Sequence, residues 1–262
     1  MGGVFLQVES FSLSVDGGVI RGEVMYPQGS RELSFLIICH GIPQHRQLPD
    51  DRNEGYRALA RYFASRHFCT VIFNFRGTGY STGSFDLWGW RRDLQAVLKS
   101  VQSRRTSPDQ EIAILGFSGG AATACITAAG YSGRPDRVIL AACPADFDFL
   151  FDKMPAGQIV EEAVSIGIMK EEDIPRDPQR WIEKQKEFRP LDYVKRISPR
   201  PLLLIHGLKD DLVLPDHARR LYAEAGDPKN LVLLPHAPHQ LRTMPRVWEI
   251  CLGWLRSPSP GA

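Results

Sequence analysis

The feature that most constrains the fold of this chain is a repeated alternation of short apolar runs with segments of helical period. The apolar runs are continuous, and in chain order they read SFLIICHG, CTVIFNFRG, EIAILGFSG, RVILAACPAD, PLLLIHG and NLVLLPH. Segments such as GYRALARYFASR and RRDLQAVLKSVQ lie between them and repeat their apolar residues at helical spacing. Strands buried on both faces carry continuous apolar runs, and parallel neighbours need helical crossovers. The alternation therefore predicts a doubly wound α/β fold with a mostly parallel sheet.

Two parts of the chain depart from this rhythm. Near the start, VESFSLSV and VIRGEVMYP flank DGG, a pattern typical of an antiparallel hairpin. The stretch between RVILAACPAD and PLLLIHG is too long for a bare loop, so we predict a small helical cap at about residues 147–198. A last helix is predicted at RVWEICLGWLRS. We expect residues 1–262 to form a single domain that carries this insertion.

The charge balance and the cysteines limit the class of protein. The chain has 32 basic and 30 acidic side chains, a net charge of +2, which argues against a dedicated nucleic-acid binder and favours a small-molecule partner. No apolar run approaches the roughly 18 residues of a membrane span. The five cysteines stand outside CxxC pairs, which is typical of buried thiols in a reducing compartment, so we expect a cytoplasmic protein. The sequence leaves open whether it is a monomer or a homodimer.

Ser118 is the candidate nucleophile. The segment Gly116-Phe117-Ser118-Gly119-Gly120 follows the apolar run EIAIL and opens the helix-like run AATACITAAG. This strand, turn and helix setting is the one that a nucleophile elbow requires. The serine of such an elbow occupies a strained backbone position, and side chains two residues on either side would collide in so tight a turn. A plain strand-to-helix turn is the alternative.

A serine nucleophile needs a base, and the base needs an acid that orients it. HGLKDDLVLP places Asp210 and Asp211 after a buried strand, where their side chains would reach the edge of the sheet, and we favour Asp210. Asp146 or Asp148, after the preceding strand, would be the alternatives. PHAPH supplies two candidate bases. We prefer His239, since the loop then has room to turn back over the sheet edge, and His236 remains the alternative.

Other histidines and loops are assigned by their positions. Backbone N–H groups of Ile42, in CHGIPQH, and of Gly119 are the candidate donors to an oxyanion. His40 and His206 each end a strand in a His-Gly pair and are interpreted as structural, bonding loop backbone. His45 would face substrate or solvent. RGTGYSTGSFD lacks the order of a phosphate loop, and no metal-ligand spacing is present, so we expect neither a metal nor a cofactor.

Taken together, these motifs resemble those of the α/β-hydrolase superfamily over nearly the whole chain. The resemblance rests on HGIPQH, FNFRGTGYSTGSFD, GFSGG, HGLKDDLVLP and PHAPH, in that order. Within the superfamily the chain is similar to small cytoplasmic serine hydrolases, among them cinnamoyl-type esterases and serine-aminopeptidase-like proteins. The resemblance implies a triad of Ser118, Asp210 and His239, with Ile42 and Gly119 in the oxyanion hole. Relatives commonly carry a small residue where this chain has His236.

The expected activity is hydrolysis of small or medium carboxylic esters through an acyl-enzyme. An amidase, thioesterase, peptidase or acyltransferase of the same fold is one alternative, because a triad does not choose the leaving group. A non-catalytic relative that binds a ligand or partner is another. Cap aromatics such as Phe147 and Trp181 would either line an acyl pocket or anchor the cap helices to the sheet.

Overall fold

The computed structural model describes residues 5–30, 32–44, 54–133 and 135–258. Within these residues eight strands form one sheet in the order β1-β2-β4-β3-β5-β6-β7-β8. The strands are β1 (Leu6–Val15), β2 (Gly18–Pro27), β3 (Phe35–Cys39), β4 (Cys69–Phe73), β5 (Ile112–Phe117), β6 (Arg137–Ala141), β7 (Leu202–Gly207) and β8 (Lys229–Leu234).

The strand directions agree with the predicted architecture. β1 and β2 pair antiparallel around a turn in which Asp16 and Gly17 both have positive φ, and β2 pairs antiparallel with β4. Every other neighbouring pair is parallel. The predicted hairpin and the mostly parallel sheet are confirmed.

Eight helices connect or cover these strands in the described part of the chain. They are α1 (Glu54–Ala64), α2 (Leu87–Gln102), α3 (Gly119–Gly130), α4 (Asp148–Phe151), α5 (Ala156–Ser165), α6 (Pro178–Lys186), α7 (Pro215–Glu224) and α8 (Pro245–Arg256). Helices α4, α5 and α6 lie between β6 and β7, in the region predicted to form a cap. The sequence did not predict helix α7, because the residues of this segment are mostly polar. Only His217, Ala218 and Leu221 of the helix are buried.

The sheet separates two apolar layers. Trp90 and Phe75 are buried in the layer shared with α2, α3 and the cap, whereas Phe63 and Leu59 are buried in the layer shared with α1 and α8. Burying each such side chain stabilises the fold by about 1.5 to 3 kcal/mol. The layers hold the parallel strands rigidly, and the loops that follow β3, β5, β7 and β8 meet at one edge of the sheet.

Candidate active site

Ser118 stands between β5 and α3 in a strained backbone conformation. Its φ is 52° and its ψ is −123°, a region that residues with a side chain rarely adopt. Hydrogen bonds on both sides hold this conformation. The Ser118 N–H donates to the Ala141 carbonyl at 2.9 Å, and the Ser118 carbonyl accepts from the N–H groups of Ala121 and Ala122 at 2.9 and 3.1 Å.

Gly116 and Gly120 leave the space that this turn needs. A Cβ on Gly116 would lie 2.5 Å from Cα of Ala121, and one on Gly120 would lie 2.2 Å from the carbonyl oxygen of His40. Both contacts are with backbone atoms, so a side chain at either position would require the backbone to shift. The predicted reason for the two flanking glycines is confirmed.

The structure brings Ser118, His239 and Asp210 together in one hydrogen-bonded chain. The distance from Nε2 of His239 to Oγ of Ser118 is 3.1 Å, and Nδ1 of His239 lies 2.8 Å from Oδ2 of Asp210. A carboxylate only accepts hydrogen bonds, so Nδ1 carries the imidazole proton and Nε2 is free to accept one from the serine hydroxyl. This is the tautomer that general-base catalysis requires.

Asp210 is buried and held by donors on both of its oxygens. Oδ1 accepts from the N–H groups of Leu212 and Val213 at 3.1 and 2.9 Å, and Oδ2 faces both His239 and His206. Burial alone would raise the pKa of the Asp210 carboxyl, but the hydrogen bonds from the two histidines and the loop hold it well below its ordinary value. The carboxylate therefore remains charged throughout the neutral range.

The alternative acids and the alternative base lie outside the hydrogen-bonded chain of Ser118, His239 and Asp210. His236 and Asp211 are exposed. Asp146 pairs with Arg220 at 2.9 Å. Asp148 faces cationic side chains of the cap, with Arg189 at 3.5 Å. In the described residues, Asp210 is thus the carboxylate within hydrogen-bond distance of His239.

The two backbone donors predicted for an oxyanion hole flank the serine. A Cβ on Gly119 would lie 3.5 Å from the backbone nitrogen of Ile42, so the two residues are in close contact. Gly119 is the first residue of α3, where an N–H has no acceptor within its own helix. Gly41 packs against Ser118, since a Cβ there would lie 3.1 Å from the serine Cβ. Gly119 therefore adjoins Ser118 in the chain, and Ile42 follows the glycine that packs against Ser118.

His40 and Tyr56 support the loop that carries Ile42. Nδ1 of His40 donates to the Gly41 carbonyl at 2.8 Å, while its Nε2 accepts from the Phe75 N–H at 3.1 Å. This confirms the predicted bonding of His40 to loop backbone. Burial lowers the pKa of His40 to about 4, so the ring is neutral at physiological pH. The Tyr56 hydroxyl accepts from the Gly41 N–H at 3.0 Å, a role that was missed because its segment indicated only a helix with an apolar face.

The glycine-rich loop after β4 is a structural turn, as predicted. Arg76 donates to the buried carboxylate of Asp93 from Nη2 at 2.7 Å, from Nε at 3.1 Å and from its backbone N–H at 2.9 Å, and it also contacts Asp16 of the hairpin. Gly77 has a positive φ, and a Cβ there would lie 2.2 Å from the carbonyl oxygen of Ile168. The loop therefore contacts the β1–β2 hairpin, α2 and the cap.

The two cap aromatics differ, because Phe147 packs within the cap whereas Trp181 also lines a cavity. Phe147 is 1% exposed and contacts Phe149, Phe151 and Phe188. Trp181 contacts Phe85 and Phe151 and lines a cavity of about 330 Å³ between the cap and the hairpin. Ser118 is not among the described residues that line this cavity. His45, the remaining candidate for a substrate contact, lies outside the described residues.

The described residues contain neither a cluster of metal ligands nor a helix that could span a membrane. No group of three or more His, Cys, Asp or Glu side chains is arranged to hold a metal ion there. None of the helices in this part of the chain is both long enough and apolar enough to cross a membrane.

Comparisons with known proteins assign the fold. Residues 35–157 match the family model described as alpha/beta hydrolase fold. Est1E from Butyrivibrio proteoclasticus superposes with a TM-score of 0.68 at 16% identity, covering 95% of this chain and 99% of that one. The Pyrococcus furiosus esterase Pf2001 superposes with a TM-score of 0.67 at 19% identity, covering 95% and 89%. The chain has the α/β-hydrolase fold. This fold agrees with the resemblance of the motifs.

The curated relatives are longer than this chain, and their names state no activity. The chain is 28% identical to "Uncharacterized protein YfhR" of Escherichia coli K12 over 181 residues, which are 69% of this chain and 56% of the relative. It is 26% identical to "Uncharacterized protein YqkD" of Bacillus subtilis over 219 residues, 79% of this chain and 65% of the relative. The chain thus spans less than two thirds of the length of these relatives.

Proposed function

We propose that this α/β hydrolase is a serine esterase that cleaves small or medium carboxylic esters through an acyl-enzyme. The observation that carries the proposal is the hydrogen-bonded chain from Asp210 through His239 to Ser118, on a turn whose strained serine is held by backbone hydrogen bonds. A structural turn has no need of a base beside its serine or of a buried carboxylate behind that base. The Pyrococcus furiosus esterase Pf2001 shares this fold, which supports ester hydrolysis as the proposed reaction.

Each side chain of the site has one role in the proposed reaction. Ser118 Oγ attacks the ester carbonyl carbon while Nε2 of His239 takes the hydroxyl proton. Asp210 holds the imidazole tautomer and stabilises the imidazolium that forms. The N–H groups of Ile42 and Gly119 donate to the oxyanion of the tetrahedral intermediate.

Collapse of that intermediate breaks the bond to the alkoxy oxygen. The leaving alcohol takes the proton from His239, and the acyl group stays on the Ser118 oxygen. A water molecule then gives its proton to His239 and attacks the acyl carbonyl. The second intermediate collapses to release a carboxylic acid and the free serine, so that one water is consumed for each ester cleaved.

The site requires no cofactor for this chemistry, and its partner is a small-molecule ester. A cytoplasmic location is part of the proposal because the five cysteines are free thiols and four of them are buried. Burial raises the pKa of Cys39 and Cys125 well above the ordinary range of a thiol, which leaves both unreactive at neutral pH.

The proposal is tested with a panel of p-nitrophenyl esters of graded acyl length. Ser118→Ala removes the nucleophile and leaves the fold intact, so we expect turnover to fall by about 10⁴-fold or more with an unchanged melting temperature. Ser103→Ala is the matched control, because Ser103 is exposed and only bonds the carbonyl of Ser100 at the end of α2. Turnover retained in Ser118→Ala would refute the proposal. Matching p-nitroanilides and thioesters identify which bond is preferred.

A further inference from the structure

His206 reaches the candidate triad, although its position in the sequence indicated only a backbone contact. Its Nε2 lies 2.8 Å from the Val213 carbonyl oxygen and 3.3 Å from Oδ2 of Asp210. Oδ2 is the same oxygen that faces Nδ1 of His239. We infer that His206 is a positioning residue of the proposed triad, which fixes the carboxylate of Asp210 against His239. The inference rests on the proposed function and deepens it.

The protonation of His206 follows from its two neighbours. A carbonyl oxygen accepts, so Nε2 carries a proton that it donates to Val213 at 2.8 Å, and Oδ2 of Asp210 lies 3.3 Å from the same nitrogen. Nδ1 is buried and has no hydrogen-bond partner among the described residues. A second proton there would be an unpaired buried donor, which is costly. His206 is therefore a neutral donor, which orients the carboxylate without cancelling its charge.

This donor also links the two ends of the loop that carries the acid. His206 is the last residue but one of β7, whereas Val213 lies just before α7, and Asp210 is between them. The hydrogen bond of His206 to Val213, its close contact with Oδ2 and the hydrogen bonds from the N–H groups of Leu212 and Val213 therefore fix the loop and the carboxylate together. The low pKa of the Asp210 carboxyl agrees with this number of donors.

Removing His206 would change the electrostatics of the base in a definite direction. With one donor fewer, Oδ2 of Asp210 becomes more basic and binds the Nδ1–H of His239 more strongly. A stronger interaction with the carboxylate stabilises the imidazolium form of His239. The acidic limb of the rate profile would therefore move to higher pH.

The other titratable groups near His206 come from α7 and from the loop after β6. His217 of α7 accepts from the Ala145 N–H at 3.1 Å, and burial lowers the pKa of His217. Asp146 and Arg220 form an ion pair beside it. The side chain of His217 forms none of the hydrogen bonds to Asp210, so it supplies a matched control on the same edge of the sheet.

The experiment compares His206→Leu, His206→Gln and His217→Leu with the wild-type chain. His206→Leu removes the donor, whereas the glutamine amide returns an N–H donor near the position of Nε2. We expect kcat of the leucine variant to fall about tenfold, with KM little changed and the acidic midpoint of kcat/KM shifted upward. His206→Gln recovers most of kcat and the midpoint, and His217→Leu leaves the midpoint in place.

Three results would overturn the inference. They are wild-type kcat and midpoint in His206→Leu, equal losses in the leucine and glutamine variants, or an identical midpoint shift in His217→Leu. Thermal unfolding of each variant establishes that it is folded. The low-field NMR signal of the His239 Nδ1 proton gives a readout without turnover, and an unchanged signal in His206→Leu also counts against the inference. Absence of turnover in the wild-type chain would instead refute the proposed esterase function.

Discussion

At the scale of single residues, the site depends on side chains that touch no substrate. Gly41 illustrates this, because its N–H donates to the hydroxyl of Tyr56 and its carbonyl accepts from His40. These two contacts fix the loop whose next residue, Ile42, supplies a proposed oxyanion donor. A donor is effective only when it is aimed at the developing charge before the reaction begins. The support of the loop is therefore part of the proposed catalytic function.

Tyr56→Phe tests this support. The substitution removes the acceptor of the Gly41 N–H and keeps the ring, so we expect kcat to fall by about tenfold and the free energy of unfolding to fall by about 1 to 3 kcal/mol. Steady-state ester hydrolysis and urea unfolding measure the two effects. Tyr62→Phe is the control in the same helix. The Tyr62 ring packs against Trp248, whereas the hydrogen bond from the Gly41 N–H goes to Tyr56. A Tyr56→Phe variant as active as Tyr62→Phe would contradict this account.

At the scale of elements, the complete burial of α3 explains why small residues follow the serine. Every residue from Gly119 to Ala129 is buried, so the helix is surrounded by the sheet and its neighbours rather than facing solvent on one side. Small side chains let it approach the strands closely. Gly120 makes the tightest of these approaches, to the carbonyl oxygens of Cys39 and His40.

A pair of glycine substitutions tests this packing. Gly120→Ala would place a Cβ 2.2 Å from a backbone oxygen, and we expect it to lower the free energy of unfolding by about 3 kcal/mol or more. Gly157→Ala in α5 meets nothing within 4 Å, and we expect it to stabilise the chain by about 0.5 to 1 kcal/mol. Chemical denaturation of both variants checks the contrast. Equal effects would contradict the close contact between α3 and the loop after β3.

At the scale of the whole molecule, buried histidines make stability sensitive to acid. Burial lowers the pKa of His40 from an ordinary 6.5 to about 4 in the folded chain. Between these pH values the unfolded chain binds a proton that the folded chain does not, so the free energy of unfolding falls as the pH decreases. The difference at His40 is on the order of 3 kcal/mol. His217 acts in the same direction because burial lowers its pKa as well.

The pH dependence is checked by urea unfolding at several pH values from neutral to about pH 4. We expect His40→Gln to lose stability at neutral pH and to show a shallower decline on acidification than the wild-type chain. Parallel slopes for the two proteins would show that His40 is not the titrating group. The lowered carboxyl pKa of Asp210 contributes separately, because that stabilisation is lost only as the pH falls below the ordinary range of an aspartate.

The sequence was sufficient to predict the sheet and the turn at Ser118, because apolar runs and flanking glycines are local signals. Other features depend on which loops meet in space. The choice between His236 and His239 was decided by which ring reaches Asp210, a contact across 29 positions of the chain. The contact of Tyr56 with Gly41 and that of His206 with Asp210 have no local signature in the sequence. The helical pattern around Tyr56 and the strand pattern around His206 would be the same without these contacts.

The most direct test of the central claim is labelling of the native chain with a fluorophosphonate probe, followed by mapping of the adduct by mass spectrometry. We expect a single adduct on the peptide that contains Ser118, formed far more slowly in His239→Ala and not at all in Ser118→Ala. The fluorophosphonate reports the activated hydroxyl without any assumption about the substrate. An unlabelled wild-type chain, or an adduct on another residue, would contradict the claim that Ser118 is a nucleophile activated by His239 and Asp210.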